Sequence, residues 1–223
     1  MTKLEEWLER AKEFHGHICP FLSLGVRVGL LALEKLGVKR ASPHDTIEER
    51  LMAIVEVNNC MADGIQVTTG CTLGNNSLIY ADTGKNAVTL FRRETGEGVR
   101  IYVDWEKIQP LLPREGLELR RKVAEGRATP EEVEQLRRLW EEAGRKLAHL
   151  PENYFKIERV KVVDIERAPI FESVRCVKCG ELVMKPKAVL TEKGYLCPVC
   201  AGVEIPAVVG RGITKIAWPL KYE

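Results

Sequence analysis

Four cysteines near the C-terminal end constrain this 223-residue chain more than any other feature. They stand as CVKC (176–179) and CPVC (197–200), a C-x2-C-x17-C-x2-C pattern. Each half reads as a knuckle: two thiolates two residues apart, in a turn that points amide N–H groups at the sulfurs. Four thiolates suit tetrahedral Zn²⁺ at Zn–S near ~2.3 Å and leave no position for a substrate. The spacing therefore predicts a structural zinc held by Cys176, Cys179, Cys197 and Cys200. A rubredoxin-like iron site and a pair of dithiols are the competing readings. A module of about 30 residues buries too little surface to fold alone, so metal affinity becomes its folding energy.

The other three of the seven cysteines lie far upstream. In FHGHICP (14–20), His15, His17 and Cys19 fall at alternate positions, and Pro20 follows directly. Proline is favoured at the first helical position, so a helix is expected from Pro20 to about Leu36, with Gly37 ending it. Cys19 then sits at the helix N-cap, where free N–H groups and the positive dipole end favour a thiolate. A second polar cluster, NNCMADGIQVTTGC (58–71), follows a predicted strand and contributes Cys60, Asp63, Gln66, Thr69 and Cys71. If 60–71 were one helix, Cys60 and Cys71 would share a face. Lys85, in the turn of ADTGK, is a candidate anion contact. Taken singly, each of these residues is better explained as a core filler or a cap than as a functional group. Together they make a site if the two clusters meet.

The rest of the chain reads as an α+β domain, helices packed on a mainly antiparallel sheet, over residues 1–168. A helix is expected near 2–14, a buried strand at 50–57, and three short strands in 76–104 forming an antiparallel meander. Thr129-Pro130-Glu131-Glu132 is a capping box opening a long helix, and FKIERVKVVDI (155–165) is a further strand. Gly25 and Gly29 suggest close packing of the second helix against a neighbour. Near Ala168-Pro169 the texture changes, and 169–223 forms the cysteine module with an apolar tail, IPAVVGRGITKIAWPLKY, expected to pack on its own core or across a dimer.

Composition narrows the setting. At 45% hydrophobic and 30% charged the chain can bury a core. Its formal net charge of +2 lacks the basic bias of a dedicated nucleic-acid binder. No segment reads as a signal peptide or membrane span. A cytoplasmic protein is expected, in which cysteines serve metal or thiol chemistry rather than disulfides.

FHGHICPFLSLGVRVG, NNCMADGIQVTTGCTLGN and ADTGKNAVTLF, followed by four cysteines, resemble the FmdE family, named for formylmethanofuran dehydrogenase. The likeness covers most of residues 10–103 and 174–202. It implies an α+β core, a treble-clef or ribbon zinc finger, a homodimer, and a link to a molybdenum or tungsten enzyme. It also implies a polar cleft of His15, His17, Cys19, Cys60, Asp63, Gln66, Thr69, Cys71 and Lys85. Thr83 stands where the resemblance implies an aromatic.

Three functions follow as expectations. In the first, His17, Cys19 and Cys60 bind a second transition metal, with His15 or Cys71 as further ligands and Asp63 and Gln66 orienting them. The second is a thiol-based maturation or redox factor with Cys19 as nucleophile. The third is a non-catalytic adaptor docking protein or nucleic acid. In the first two, Cys19, Cys60 and Asp63 carry the chemistry, and His15, Gln66, Thr69, Cys71 and Lys85 bind the ligand.

Overall fold

The computed structural model describes residues 2–220. Residues up to Ile165 form one compact unit and those from Glu166 onward a second.

Helix α1 (Lys3–His15) starts where Thr2 accepts a hydrogen bond from the Glu5 N–H, and it stops at Gly16 in the left-handed conformation. Helix α2 (Pro20–Leu36) has Cys19 as N-cap and Gly37 as its left-handed stop. It is apolar nearly all round, with 12 of its 17 residues buried, so it must lie inside the domain. It packs against α1, a short α4 and a long α7, and across two strands of the sheet.

After α3 (Pro43–Ile47) come β1 (Leu51–Val55), α4 (Cys60–Thr69), β2 (Leu78–Tyr80), β3 (Ala87–Arg92) and β4 (Glu97–Val103). Three helices follow, α5 (Trp105–Ile108), α6 (Arg114–Ala124) and α7 (Pro130–Ala148), then β5 (Phe155–Lys161). The strand order is β2-β1-β3-β4-β5. All pairings are antiparallel except β1 with β2. The domain is therefore α+β with a mainly antiparallel sheet. The meander expected over 76–104 holds only from β3 to β4. Helix α4 carries the chain over the sheet and returns it parallel to β1, so β2 lands on the far edge. The capping box at Thr129 is complete, with both reciprocal hydrogen bonds to Glu132.

The core lies between sheet residues such as Val88, Leu90, Val99 and Ile101 and helix residues Leu24, Val28, Leu31, Met61 and Ile65. Where α2 crosses α4 the two backbones touch. A Cβ added at Gly25 would fall 2.2 Å from the Met61 carbonyl oxygen, and one at Gly64 2.5 Å from the Leu22 oxygen. One turn on, a Cβ at Gly29 would meet Thr68 Oγ1 at 2.0 Å. The Gly25/Gly29 step thus packs on a neighbouring helix within the domain. This close crossing sets the start of α2 beside the start of α4.

The second unit holds two hairpins, β6 (Ser173–Arg175) with β7 (Leu182–Met184) and β8 (Val189–Thr191) with β9 (Gly194–Leu196). The helical turn α8 (Pro198–Ala201) follows. A last hairpin pairs β10 (Ile205–Val209) with β11 (Gly212–Ile216) and contains most of the apolar tail. In it Val208 faces Ile213 in register, and both are exposed. Lys221 and Tyr222 of that tail lie outside the described residues. Among the described residues, no helix is long and apolar enough to cross a membrane.

Candidate metal centres

The C-terminal centre is assembled from a knuckle, a hairpin and a helix. Cys176 and Cys179 flank the turn after β6, which Gly180 closes through its N–H to the Cys176 carbonyl at 2.9 Å. Cys197 caps α8, and Cys200 lies within it. The four thiol sulfurs all lie within 4.8 Å of one another. Cys179 Sγ and Cys197 Sγ are 4.0 Å apart, close to the ~3.8 Å edge of a tetrahedron with ~2.3 Å metal–sulfur bonds. Backbone N–H groups, that of Cys179 foremost, hold the Cys176 thiol down at about 6. Desolvation and then the neighbouring thiols push Cys200 up to about 12. Four thiolates cannot coexist at this spacing without a cation among them, so the cluster is built to hold a metal ion.

A second centre forms where α2 and α4 begin. Cys19 is the N-cap of α2, its sulfur accepting the Leu22 N–H at 3.5 Å. Cys60 is the first residue of α4, after the N-cap Asn59. Two positive helix ends thus converge on two sulfurs. His15, at the end of α1, completes a group whose ligand atoms lie within 4.8 Å of one another: His15, Cys19 and Cys60. The two thiols perturb each other. The hydrogen bond from Cys19 lowers Cys60 to about 6, with the His15 ring adding to the effect. The same bond, with burial, raises Cys19.

The imidazole of His15 is the informative group. Its Nδ1–H donates to Asp63 Oδ2 at 2.7 Å, and its Nε2 is buried with no hydrogen-bond partner. An unsatisfied buried nitrogen is costly, about 1–3 kcal/mol, unless something absent from the polypeptide engages it. A carboxylate behind one imidazole nitrogen, leaving the other free beside two thiols, is the arrangement that orients a metal-ligating histidine. One imidazole and two sulfurs form a soft donor set, suited to zinc, iron or copper(I) rather than to magnesium or calcium. The residues present therefore fit a transition metal.

The structure sorts the residues singled out in the sequence. The histidine grouped with Cys19 and Cys60 is His15, and His17 lines the adjoining cavity. His17 is largely exposed and lies against the His15 ring at a 4.7 Å centroid distance, tilted by 37°. Burial, then the neighbouring His15, lowers its pKa. Cys71 is not in the cleft: α4 ends at Thr69, Gly70 turns left-handed, and the Cys71 thiol donates to the Leu51 carbonyl at 3.3 Å in the core. Burial raises that thiol to about 11. Thr69 is also buried and spends its hydroxyl on the Ile65 carbonyl of its own helix. Gln66 donates to Asp63 at 3.2 Å, so it steadies the carboxylate that steadies His15. Lys85 stands in an exposed turn, where its charge acts on Glu56. Thr83, in the same turn, donates to Glu56 at 2.9 Å.

A cavity of about 520 Å³ adjoins the second centre, reached from His17, Cys19, Asn59 and Cys60. Its other walls come from α5, α6 and α7: Trp105, Leu117, Arg120, Val123, Leu136 and Trp140. Sequence reasoning missed these. The one available signal was a pair of tryptophans in an otherwise highly charged stretch.

The match to known proteins agrees with this architecture. A family model described as "FmdE, Molybdenum formylmethanofuran dehydrogenase operon" matches residues 14–156. The chain belongs to the FmdE family. Among solved structures, a tungsten formylmethanofuran dehydrogenase FmdE-like protein from Syntrophus aciditrophicus is similar at a TM-score of 0.58 and 27% identity, covering 89% of this chain and 92% of that one. A "Probable S-adenosyl-L-methionine-binding protein" of Archaeoglobus fulgidus is 53% identical over 215 residues, 96% of this FmdE chain. The chain spans 57% of that relative's length.

Proposed function

We propose that this FmdE-family chain binds a transition metal ion through His15, Cys19 and Cys60 and presents it to a small ligand in the adjoining cavity. In the same reading, zinc in the Cys176, Cys179, Cys197 and Cys200 cluster serves the fold alone. The observation that carries the proposal is the buried, unpartnered His15 Nε2 beside the Cys19 and Cys60 sulfurs. Three protein ligands leave a tetrahedral ion one open position, where it would supply a Lewis-acid contact to a ligand atom. The chain's own groups have distinct tasks. Asp63 fixes the tautomer and direction of His15, and Gln66 holds Asp63. The α2 and α4 N-termini favour ionised sulfur, and the tryptophan-lined walls offer an apolar surface to a ligand. The family name and the name of the Syntrophus protein support a role beside a molybdenum or tungsten formylmethanofuran dehydrogenase.

The test is metal content by plasma mass spectrometry on untagged protein. Two metals per chain are expected, with one lost in both Cys60→Ser and His15→Ala and the other in Cys176→Ser. A content unaltered by Cys60→Ser and His15→Ala would refute the cleft metal.

One observation favours a second reading. A Cys60 thiol at about 6 is a nucleophile at neutral pH in the metal-free protein. That moves the thiol hypothesis from Cys19 to Cys60, and rapid iodoacetamide labelling of Cys60 in protein purified with one metal per chain would favour it. The Archaeoglobus relative makes S-adenosyl-L-methionine the first ligand to titrate into the cavity. No binding would assign that property to the part of the relative that this chain does not span.

A further inference from the structure

The cavity beside the second centre has walls of one kind and a single cation. Phe21 and Trp105 stack with centroids 4.9 Å apart and planes 16° from parallel, and together they form one aromatic wall of the cavity. Trp140 stands against α6, close enough that a Cβ at Gly116 would fall 2.6 Å from its ring. Helix α6 turns Leu117, Arg120 and Val123 toward the cavity at three-residue spacing. Arg120 is exposed, so it places a cation at the solvent-facing rim of this otherwise apolar wall. Its neighbour Arg121 is paired with Glu125. Among the described residues no carboxylate lies within ion-pair distance of Arg120, so its guanidinium is open to an anion from solution.

A guanidinium beside aromatic walls, with no acid of its own, recognises an anion carried on a flat apolar body. We infer that the cavity binds a small aromatic monoanion, its ring on the Phe21–Trp105 surface and beside Trp140, its acidic group on Arg120. This rests on reading the cavity as the ligand chamber of the His15–Cys19–Cys60 centre. It deepens that reading by naming the ligand class and a residue that selects for it.

Three probes separate the requirements. 2-Naphthoate has ring and charge, 2-naphthalenemethanol has the ring alone, and octanoate has the charge without a ring. Binding is measured by calorimetric titration and quenching of tryptophan fluorescence, on samples whose metal content per chain is determined in parallel. 2-Naphthoate is expected to bind at least tenfold more tightly than either other probe. Arg120→Gln should weaken 2-naphthoate about tenfold and leave 2-naphthalenemethanol and the metal content unchanged, and Arg120→Lys should retain most of the preference. Equal affinity for the three probes, no binding by protein that carries its cleft metal, or an Arg120→Gln variant that still prefers 2-naphthoate would overturn the inference. A preference that persists in protein without a cleft metal would sustain the inference, and the metal reading is decided separately by the metal content of the Cys60→Ser and His15→Ala proteins.

Discussion

Replacing Gly25 by alanine tests whether the α2–α4 crossing builds the second centre. The new Cβ would lie 2.2 Å from the Met61 carbonyl oxygen, with the Met61 Cα and carbonyl carbon both at 2.9 Å. All three are backbone atoms, so no side chain can swing away. Restoring an ordinary contact of about 3.3 Å requires the helices to part by roughly 1 Å. Such overpacking costs about 1–3 kcal/mol, whereas the helix-propensity gain of alanine over glycine returns only about 0.5–1. The net loss of about 1 kcal/mol corresponds to a Tm lower by about 2–4 °C for a chain of this size. The second effect is local. Cys19 and Cys60 begin the two helices that are being separated, and metal sites tolerate ligand displacements of only about 0.2 Å. Cleft-metal affinity should fall at least tenfold. Scanning calorimetry and competition with a chromogenic chelator read the two effects, and Gly74→Ala, where no atom lies within 4 Å of the added Cβ, is the control. A Gly25→Ala protein that melts and binds metal like the parent would refute this account of the crossing.

Two other changes separate the roles of the polar residues. Asp63→Asn removes the charge behind His15 Nδ1 and should weaken the cleft metal about 10–100-fold while leaving the four-cysteine metal in place, as read by the same competition assay. Equal retention of both metals would count against the orienting role. Glu56 accepts from Arg100 Nε at 2.7 Å, and that bond, aided by Thr83, holds its carboxyl below the ordinary 4.5. Because the folded value lies below the unfolded one, the stabilisation is complete above about pH 5 and is lost as pH falls through the folded value. Urea midpoints should therefore fall on acidification below about pH 4.5. Glu56→Gln should be less stable by about 1–2 kcal/mol at pH 7 and should show a shallower acid loss. A variant with the parent's pH profile would rule out Glu56 as a source of it.

Local signals in the sequence were enough for anything a few neighbouring residues decide. Cys19-Pro20 and Gly37 set the ends of α2, Thr129 and Glu132 cap α7, and the C-x2-C pairs place four thiols in two knuckles. Each is short-range chemistry, a cap or a turn whose partners lie within about four residues. The motifs of the first hundred residues also identified the family, since they run in order through the matched segment.

Only tertiary structure could choose between His15 and His17, because alternate residues in a loop point to different sides once the chain bends. Here α1 continues through His15, so that ring falls beside Asp63 of α4, 48 residues later in the chain. Cys71 was misplaced for a similar reason: one left-handed residue at Gly70 turned an assumed helix face toward the core. The cavity was beyond sequence altogether, since its walls come from α2, α5, α6 and α7, brought together by packing rather than by spacing. The sequence by itself determined which residues could bind metal and where helices begin. The packing of α2 on α4, through two glycines too small to keep the backbones apart, decided which of them meet.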